Sequence, residues 1–208
     1  MSQRLLGLLE SSNFQCMSQS QSGYRKLRHA YLIRLPPKGL AVGVGCSNIK
    51  SHFLGEPHIS TVHSVQFYDT HQALIDRLCG VVSSALLVGN SVLVVATKDH
   101  RELLTKALLR LEVNVRNYAR EGRFTMCDAE EMLLTFMVKD LPDPELFRRS
   151  VGKLLKGVQK AARSTERGLT VFGEMVAVLW DKGNKAGALA LEGLWNDLLN
   201  DQAFHLHC

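Results

Sequence analysis

A run of six residues at positions 91–96 (SVLVVA) constrains the fold of this chain more than any other feature of the sequence. It has the length of a β-strand, and every residue after the serine is apolar. A short apolar run without alternation is typical of a strand that is buried on both faces of a parallel sheet. Since helices cover both faces of such a sheet, the run predicts a layered α/β fold.

The segments around this run alternate between strand-like and helix-like patterns. Apolar residues recur with a helical period over 74–86 and 103–111, and Pro144 follows Asp143 as at a helix start. Strands that alternate with helices predict a three-layer α/β/α fold with a mainly parallel sheet. The predicted strands are 62–67, 91–96, 113–115, 123–127, 169–172 and 203–208, and the predicted helices run through 74–86, 103–111, 129–136, 144–158, 175–180 and 184–199.

Residues 1–61 differ in composition from the rest of the chain. A Gln/Ser-rich patch at 18–22 precedes a basic cluster at 25–28, and only 30–35 and 40–44 resemble strands. Polar segments of this kind bury little apolar surface and tend to remain poorly ordered. We therefore expect a poorly ordered or atypical N-terminal extension over 1–61, at most with one hairpin, and an α/β domain over 62–208.

The net charge of +5 lies entirely in the N-terminal part of the chain. Residues 1–62 hold seven Lys/Arg against two Asp/Glu, whereas residues 63–208 hold eighteen of each. A nucleic-acid-binding domain is expected to carry a basic surface. The charge distribution therefore argues against direct contact between the α/β domain and nucleic acid.

The five cysteines are scattered along the chain and form no CxxC pair. An odd number of isolated cysteines is typical of a reducing compartment and argues against a disulfide framework. No apolar run approaches the ~20 residues that span a bilayer, and the N-terminus makes a poor signal peptide. We expect a cytoplasmic protein without membrane contact.

Polar side chains follow four of the predicted strands, at the point where each strand ends. Because the carboxyl ends of parallel strands share one edge of a sheet, we expect these groups to converge at a ligand crevice. Each also has a purely structural explanation, since Asp128, for example, is a good helix N-cap. The groups are Tyr68, Thr97 with His100, Asp128 and Glu174.

The segment 172–180 (FGEMVAVLW) places Glu174 between a strand and a helix. A carboxylate at this position needs a partner, because an unpaired charge in an apolar site is costly. Two explanations stay open: Glu174 serves a ligand site, or it only interacts with the N-terminus of the following helix.

Motifs for phosphate binding, metal binding and nucleophilic catalysis are incomplete. The turn at 96–102 has no glycine to build a phosphate-binding loop, although Lys98 and Arg101 could still meet an anion. The C-terminal sequence His205-x-His207-Cys208 lacks a second ligand pair, so we expect no metal. The chain has no GxSxG motif, and we expect no catalytic residues and no cofactor.

Five blocks in order resemble the MEDS family, the methanogen/methylotroph, DcmR sensory domain. They are 63–68 (HSVQFY), 96–100 (ATKDH), 122–131 (GRFTMCDAEE), 172–180 (FGEMVAVLW) and 191–196 (LEGLWN). The resemblance covers roughly residues 63–208 and implies a RecA-like α/β fold that has lost its phosphate-binding loop. The family's HxxxFY signature falls on His63, Phe67 and Tyr68. A family glutamate that precedes the second strand is replaced here by Asn90.

The resemblance implies a non-catalytic sensory domain of a prokaryotic signalling or transcription-regulating system, which senses small hydrocarbon derivatives. His63 and Tyr68 would hydrogen-bond a small polar group, and Phe67 and Trp180 would form apolar walls. The other ligand-binding residues are expected to be Thr97, His100, Asp128 and Glu174. The signal would pass to a separate kinase or regulator, and a homo-oligomer is compatible with this role. Two alternatives stay open: a RecA-like nucleotide-binding protein with a degenerate phosphate site, and a ligand-free protein-interaction module.

Overall fold

The computed structural model of the protein describes residues 30–33, 62–66, 68–164 and 168–208. Its strands are β1 (Ala30–Ile33), β2 (Val62–Gln66), β3 (Ser91–Ala96), β4 (Phe124–Asp128), β5 (Met137–Val138), β6 (Leu141–Pro142), β7 (Leu169–Gly173) and β8 (His205–His207). Its helices are α1 (His71–Leu87), α2 (Lys98–Arg110), α3 (Val115–Arg120), α4 (Ala129–Leu134), α5 (Pro144–Phe147), α6 (Lys153–Gln159), α7 (Met175–Asp181) and α8 (Lys185–Asp201), and a π-helical segment (Arg148–Gly152) joins α5 to α6.

The main sheet has the strand order β1-β2-β8-β7-β3-β4. The five neighbouring strands β2, β8, β7, β3 and β4 are parallel to one another, and β1 pairs antiparallel with β2 at the edge. Helices pack on both faces of this sheet, so the predicted three-layer α/β/α fold with a mainly parallel sheet is confirmed.

Two hydrophobic clusters fill the layers on either side of the sheet. Alternate residues of β3 point to opposite faces: Leu93 and Val95 pack with α4 to α8, whereas Val92 and Val94 pack with α1 to α3. All six residues of β3 are buried. The unbroken apolar run is therefore explained by burial on both faces.

The predicted strand at 113–115 is wrong, because Val115 begins helix α3. The side chain of Asn114 accepts a hydrogen bond from the backbone N–H of Asn117, which caps the helix. The β-branched side chains of Val113 and Val115 favour a strand locally, but this cap and the burial of Val115 decide the structure. The short β5–β6 hairpin was not predicted, and it turns through Lys139, which has a positive φ of 55°.

Part of residues 1–61 is described as strand β1. Of the two strand-like segments predicted there, 40–44 lies outside the described residues, so the expected hairpin stays a prediction. None of the helices in the described part of the chain has the length and apolarity needed to cross a membrane.

The sheet has a topological switch point between the neighbouring strands β7 and β3. From β3 the chain continues to β4, on one side of this pair in the sheet, whereas from β7 it continues to β8, on the opposite side. In open α/β sheets such a switch point creates a crevice at the carboxyl ends of the strands, which is where ligands bind. Thr97 and Glu174, the residues that follow β3 and β7, lie at this point.

Candidate functional site

A cavity of about 350 Å³ lies over the carboxyl ends of β2, β8 and β7. The N-terminal turn of α1 forms one side, with Thr70 and His71, and α7 and α8 form the other. Most of the lining is apolar, and its volume falls in the range of small-molecule sites. The apolar lining residues are Val65, Leu74, Phe172, Val176, Ala177, Trp180, Ala188 and Leu189.

Glu174 lies on the cavity wall and is held by the end of the neighbouring strand. Its Oε2 accepts hydrogen bonds from the backbone N–H of Thr97 (2.7 Å) and from the Thr97 hydroxyl (3.1 Å). The residue is 8% exposed, and its own N–H donates to the carbonyl of Val95. The carboxylate therefore sits at the N-terminus of α2, where the helix dipole favours negative charge.

The second oxygen of Glu174 begins a chain of hydrogen bonds that reaches solvent. Oε1 contacts Nδ1 of His100, and Nε2 of His100 lies 2.5 Å from Nδ1 of His71. Because a carboxylate only accepts, Nδ1 of His100 carries a hydrogen. When His100 is neutral, its Nε2 accepts a hydrogen bond from His71, and when it is doubly protonated, its Nε2 donates.

Two further predicted residues line the cavity. The Tyr68 hydroxyl donates to Oε1 of Gln66, and burial raises the pKa of this phenol, partly offset by the charge of Arg77. Trp180 is 8% exposed, and Nζ of Lys185 lies over its ring, 5.4 Å from the ring centre. The predicted partner Phe67 lies outside the described residues.

His63 lies behind the cavity rather than in its lining. It is 1% exposed, and its Nδ1 is 3.0 Å from Oδ1 of Asn196. Its Nε2 faces Sγ of Cys208 at 3.4 Å and Oε2 of Glu192 at 3.5 Å, and these two residues line the cavity. Burial lowers the pKa of His63, although its hydrogen bond to Asn196 opposes the shift.

Glu192 and Cys208 are acids in an apolar setting. Burial raises the pKa of Glu192 to about 7. Burial also raises the pKa of the Cys208 thiol, and the nearby carboxyl of Glu192 raises it further. A thiol with a raised pKa is a poor nucleophile near neutral pH.

Asp128 does not line the cavity. It follows β4 at the far edge of the sheet, where its Oδ1 accepts hydrogen bonds from the N–H groups of Glu130 and Glu131 and caps α4. Its Oδ2 accepts from Nη2 of Arg101 at 2.5 Å. The structure thus gives Asp128 the N-cap role, and Thr97 acts by holding Glu174 rather than by lining the cavity.

The two C-terminal histidines lie apart from the cavity lining. Nδ1 of His207 is 2.7 Å from the hydroxyl of Ser64. Burial lowers the pKa of His207 to about 4 and also lowers the pKa of His205. Cys208 groups instead with His63 and Glu192.

Glu192 and His71 are polar cavity residues that could not be recognised as such without the structure. Glu192 lies on the buried side of α8, one residue after the fully buried Leu191 and three before Trp195. The sequence did contain a signal for Glu192, since it is a carboxylate on the apolar face of a helix. A buried carboxylate needs a polar partner, and this indicates a site without locating the cavity. His71 gave no comparable signal, since it begins α1 and is exposed.

The comparisons with known proteins agree with the resemblance of the sequence blocks. The family model described as MEDS, the methanogen/methylotroph, DcmR sensory domain, matches residues 62–208. No curated protein and no solved structure is matched by the chain. The RecA-like character implied by the resemblance therefore stays a prediction.

Proposed function

Because the chain belongs to the MEDS family, we propose that it is a non-catalytic sensor that binds a small, mainly apolar molecule. It would serve a prokaryotic signal-transduction or transcription-regulating system and act in the cytoplasm. The proposal rests on the cavity over the carboxyl ends of the strands, which combines apolar walls with a few convergent polar groups.

The walls of the cavity determine the size and polarity of the molecule it suits. Phe172, Val176 and Trp180 offer apolar surface, and their contact with a hydrocarbon group would be stabilised by about 25 cal/mol per Å² of buried area. The cavity of about 350 Å³ is large enough for a small organic molecule. These properties match the hydrocarbon derivatives that the family resemblance implies.

The polar groups would recognise one functional group of the ligand. His71 and His100 line the cavity and are hydrogen-bonded to each other, with 2.5 Å between Nδ1 of His71 and Nε2 of His100, and Glu174 keeps a hydrogen on Nδ1 of His100. His71 can present a donor or an acceptor to a ligand, depending on which of its ring nitrogens carries the hydrogen. The histidine pair could form a polar contact with an alcohol, an amine or a polarised carbon–halogen bond.

Ligand binding would reach both layers of the fold. The cavity is bounded by α1 on one face of the sheet and by α7 and α8 on the other. A ligand that contacts both sides favours one spacing of these helices over others, and differential affinity of this kind is what shifts a conformational equilibrium. A separate kinase or regulator that reads the helix positions would complete the signalling step.

Thermal unfolding of the full chain with three matched compounds tests this proposal. The compounds are n-propanol, n-propylamine and n-propyl chloride, which share a carbon chain and differ in the polar group. A compound that binds only the folded state raises the melting temperature with its concentration. We expect at least one of the three to do so, and no shift with any of them would contradict the proposal.

A further inference from the structure

Three side chains with metal-binding atoms meet at the inner wall of the cavity. His63 comes from β2, Glu192 from α8, and Cys208 follows β8. Their nitrogen, oxygen and sulfur atoms all lie within 4.8 Å of one another. The backbone of Cys208 is fixed by β2, since its N–H donates to Ser64 O at 2.8 Å and its carbonyl accepts from Gln66 N at 2.9 Å.

The Glu192 carboxyl has an oxygen without a partner. Oε2 is closed off from solvent and has no hydrogen bond within the part of the chain that the structure describes. An unpaired polar atom in a buried position is costly, and each such atom in a native structure calls for an explanation. This oxygen points at Nε2 of His63 from 3.5 Å, so a cation between them would supply the missing partner.

His63 is oriented as a ligand by its other ring nitrogen. Nδ1 lies 3.0 Å from Oδ1 of Asn196, which can only accept, so Nδ1 carries the hydrogen. In the neutral ring this leaves the lone pair on Nε2, the atom that faces Glu192 and Cys208. Histidines that bind metals commonly donate their second N–H to a fixed oxygen in this way.

The distances from Nε2 of His63 to the other two atoms suit a tetrahedral ion. Zinc bond lengths of about 2.0 Å to nitrogen or oxygen and about 2.3 Å to sulfur place the nitrogen roughly 3.5 Å from the sulfur and roughly 3.3 Å from the oxygen. In this protein Nε2 of His63 lies 3.4 Å from Sγ of Cys208 and 3.5 Å from Oε2 of Glu192. The remaining pair, Oε2 of Glu192 and Sγ of Cys208, lies within 4.8 Å, and the two atoms would be roughly 3.5 Å apart when both bind the ion.

We propose that His63, Glu192 and Cys208 bind one divalent transition-metal ion of the zinc type. Thiolate and imidazole ligands select such ions over Mg²⁺ and Ca²⁺, which prefer oxygen. The two anionic ligands balance the charge of the ion. The sequence motif His205-x-His207-Cys208 did not predict this zinc site. The residues that would bind the ion together with Cys208 are His63 from β2 and Glu192 from α8, which are not its neighbours in the sequence.

A fourth coordination position would face the cavity, because Glu192 and Cys208 line it and His63 lies behind them. Three protein ligands with an open position are typical of zinc sites that bind a water or a small molecule. The metal site itself is independent of the proposed sensing function. Only the further step, in which the heteroatom of a sensed molecule occupies the open position, rests on that function.

Titration of the metal-free full chain with Co²⁺ tests the site. Cobalt reports a cysteine ligand through a thiolate-to-metal charge-transfer band and a tetrahedral site through intense visible bands. We expect one equivalent of Co²⁺ to produce both signals and Zn²⁺ to abolish them. Cys208→Ser should remove the charge-transfer band, and Glu192→Gln should weaken binding at least tenfold. Asn196→Ala, which alters only the support of His63, should weaken it about 10- to 100-fold.

Matched variants separate this site from other cysteines and carboxylates. Cys127→Ser and the exposed Glu131→Gln should leave the titration unchanged, and circular dichroism should show that each variant is folded. Absence of stoichiometric binding by the wild type would overturn the proposal, as would a charge-transfer band that survives in Cys208→Ser or unchanged binding by Glu192→Gln. Since no organic ligand is used, failure here leaves the sensing proposal standing.

Discussion

Thr97 directs both its backbone N–H and its hydroxyl at a single oxygen of Glu174, at 2.7 Å and 3.1 Å. These bonds connect the carboxyl ends of β3 and β7, the two strands between which the sheet connections reverse direction. They also fix the carboxylate that orients His100, so the polar side of the cavity depends on them.

Replacing Thr97 with valine should destabilise the protein by about 1–2 kcal/mol. The change keeps the shape of the side chain but removes one hydrogen bond to a charged acceptor. Loss of helix capping does not contribute, because the Thr97 side chain makes no capping bond to α2. Thr97→Ser retains the hydroxyl and is the matched control. Free energies of unfolding from urea denaturation check this prediction, and equal stability of the two variants would contradict it.

Replacing Glu174 with glutamine should change the hydrogen position on His100 with little loss of stability. The amide oxygen can still accept from Thr97, but the amide NH₂ would face Nδ1 of His100. The hydrogen of His100 then belongs on Nε2, where it donates to His71. Imidazole ¹⁵N chemical shifts report this tautomer directly.

We expect Glu174→Gln to cost about 1 kcal/mol or less, since the side chain keeps its shape and most of its hydrogen bonds. The exposed Glu131→Gln is the control for loss of one negative charge. A loss of about 3–5 kcal/mol would instead identify Glu174 as the anchor of a buried ion pair. An unchanged tautomer of His100 would contradict the hydrogen-bond chain.

ATP should bind weakly, and no hydrolysis should be measurable. The turn between β3 and α2 has no glycine-built cradle for phosphate, and Arg101 is already paired with Asp128 at 2.5 Å. Lys98→Ala should therefore leave the weak affinity unchanged in equilibrium dialysis. Micromolar ATP binding that is abolished by Lys98→Ala would favour the nucleotide-binding alternative.

The Asp128 carboxylate should stabilise the protein in a pH-dependent way. Hydrogen bonds from the backbone of Glu131 and Glu130 and the Arg101 guanidinium lower its pKa, against the opposing effect of burial. A carboxyl whose pKa is lower in the folded state contributes stability above its unfolded pKa and loses it as the pH falls through its folded pKa. Asp128→Asn keeps the N-cap but removes the charge.

Wild type and Asp128→Asn should therefore differ in stability by at most about 1 kcal/mol at neutral pH, the magnitude of a partly exposed ion pair. The difference should vanish in acid, below the folded pKa of Asp128. Asp128→Ala, which also removes the cap, should cost about 1 kcal/mol more at every pH. Urea denaturation across the pH range measures all three proteins, and a difference that grows in acid would contradict this account.

The convergence of Thr97, His100 and Glu174 could be predicted because it follows from one property of parallel sheets. Their strands end at the same edge, so residues just after β3 and β7 meet once these strands are neighbours. The meeting of His63, Glu192 and Cys208 could not be predicted in this way. It requires β8 to insert between β2 and β7, and strand order depends on long-range packing rather than on local pattern.

Calorimetric titration of a cavity-filling variant determines whether a small molecule binds in this cavity. Ala177 is exposed on α7 and lines the cavity, so leucine there occupies ligand space without overpacking the core. Ala119→Leu, at an exposed position on α3, is the matched control. We predict that at least one of n-propanol, n-propylamine and n-propyl chloride binds the wild type and Ala119→Leu in a one-to-one ratio, and that Ala177→Leu binds it at least tenfold more weakly. Equal binding by all three proteins, or no binding by the wild type, would contradict the account.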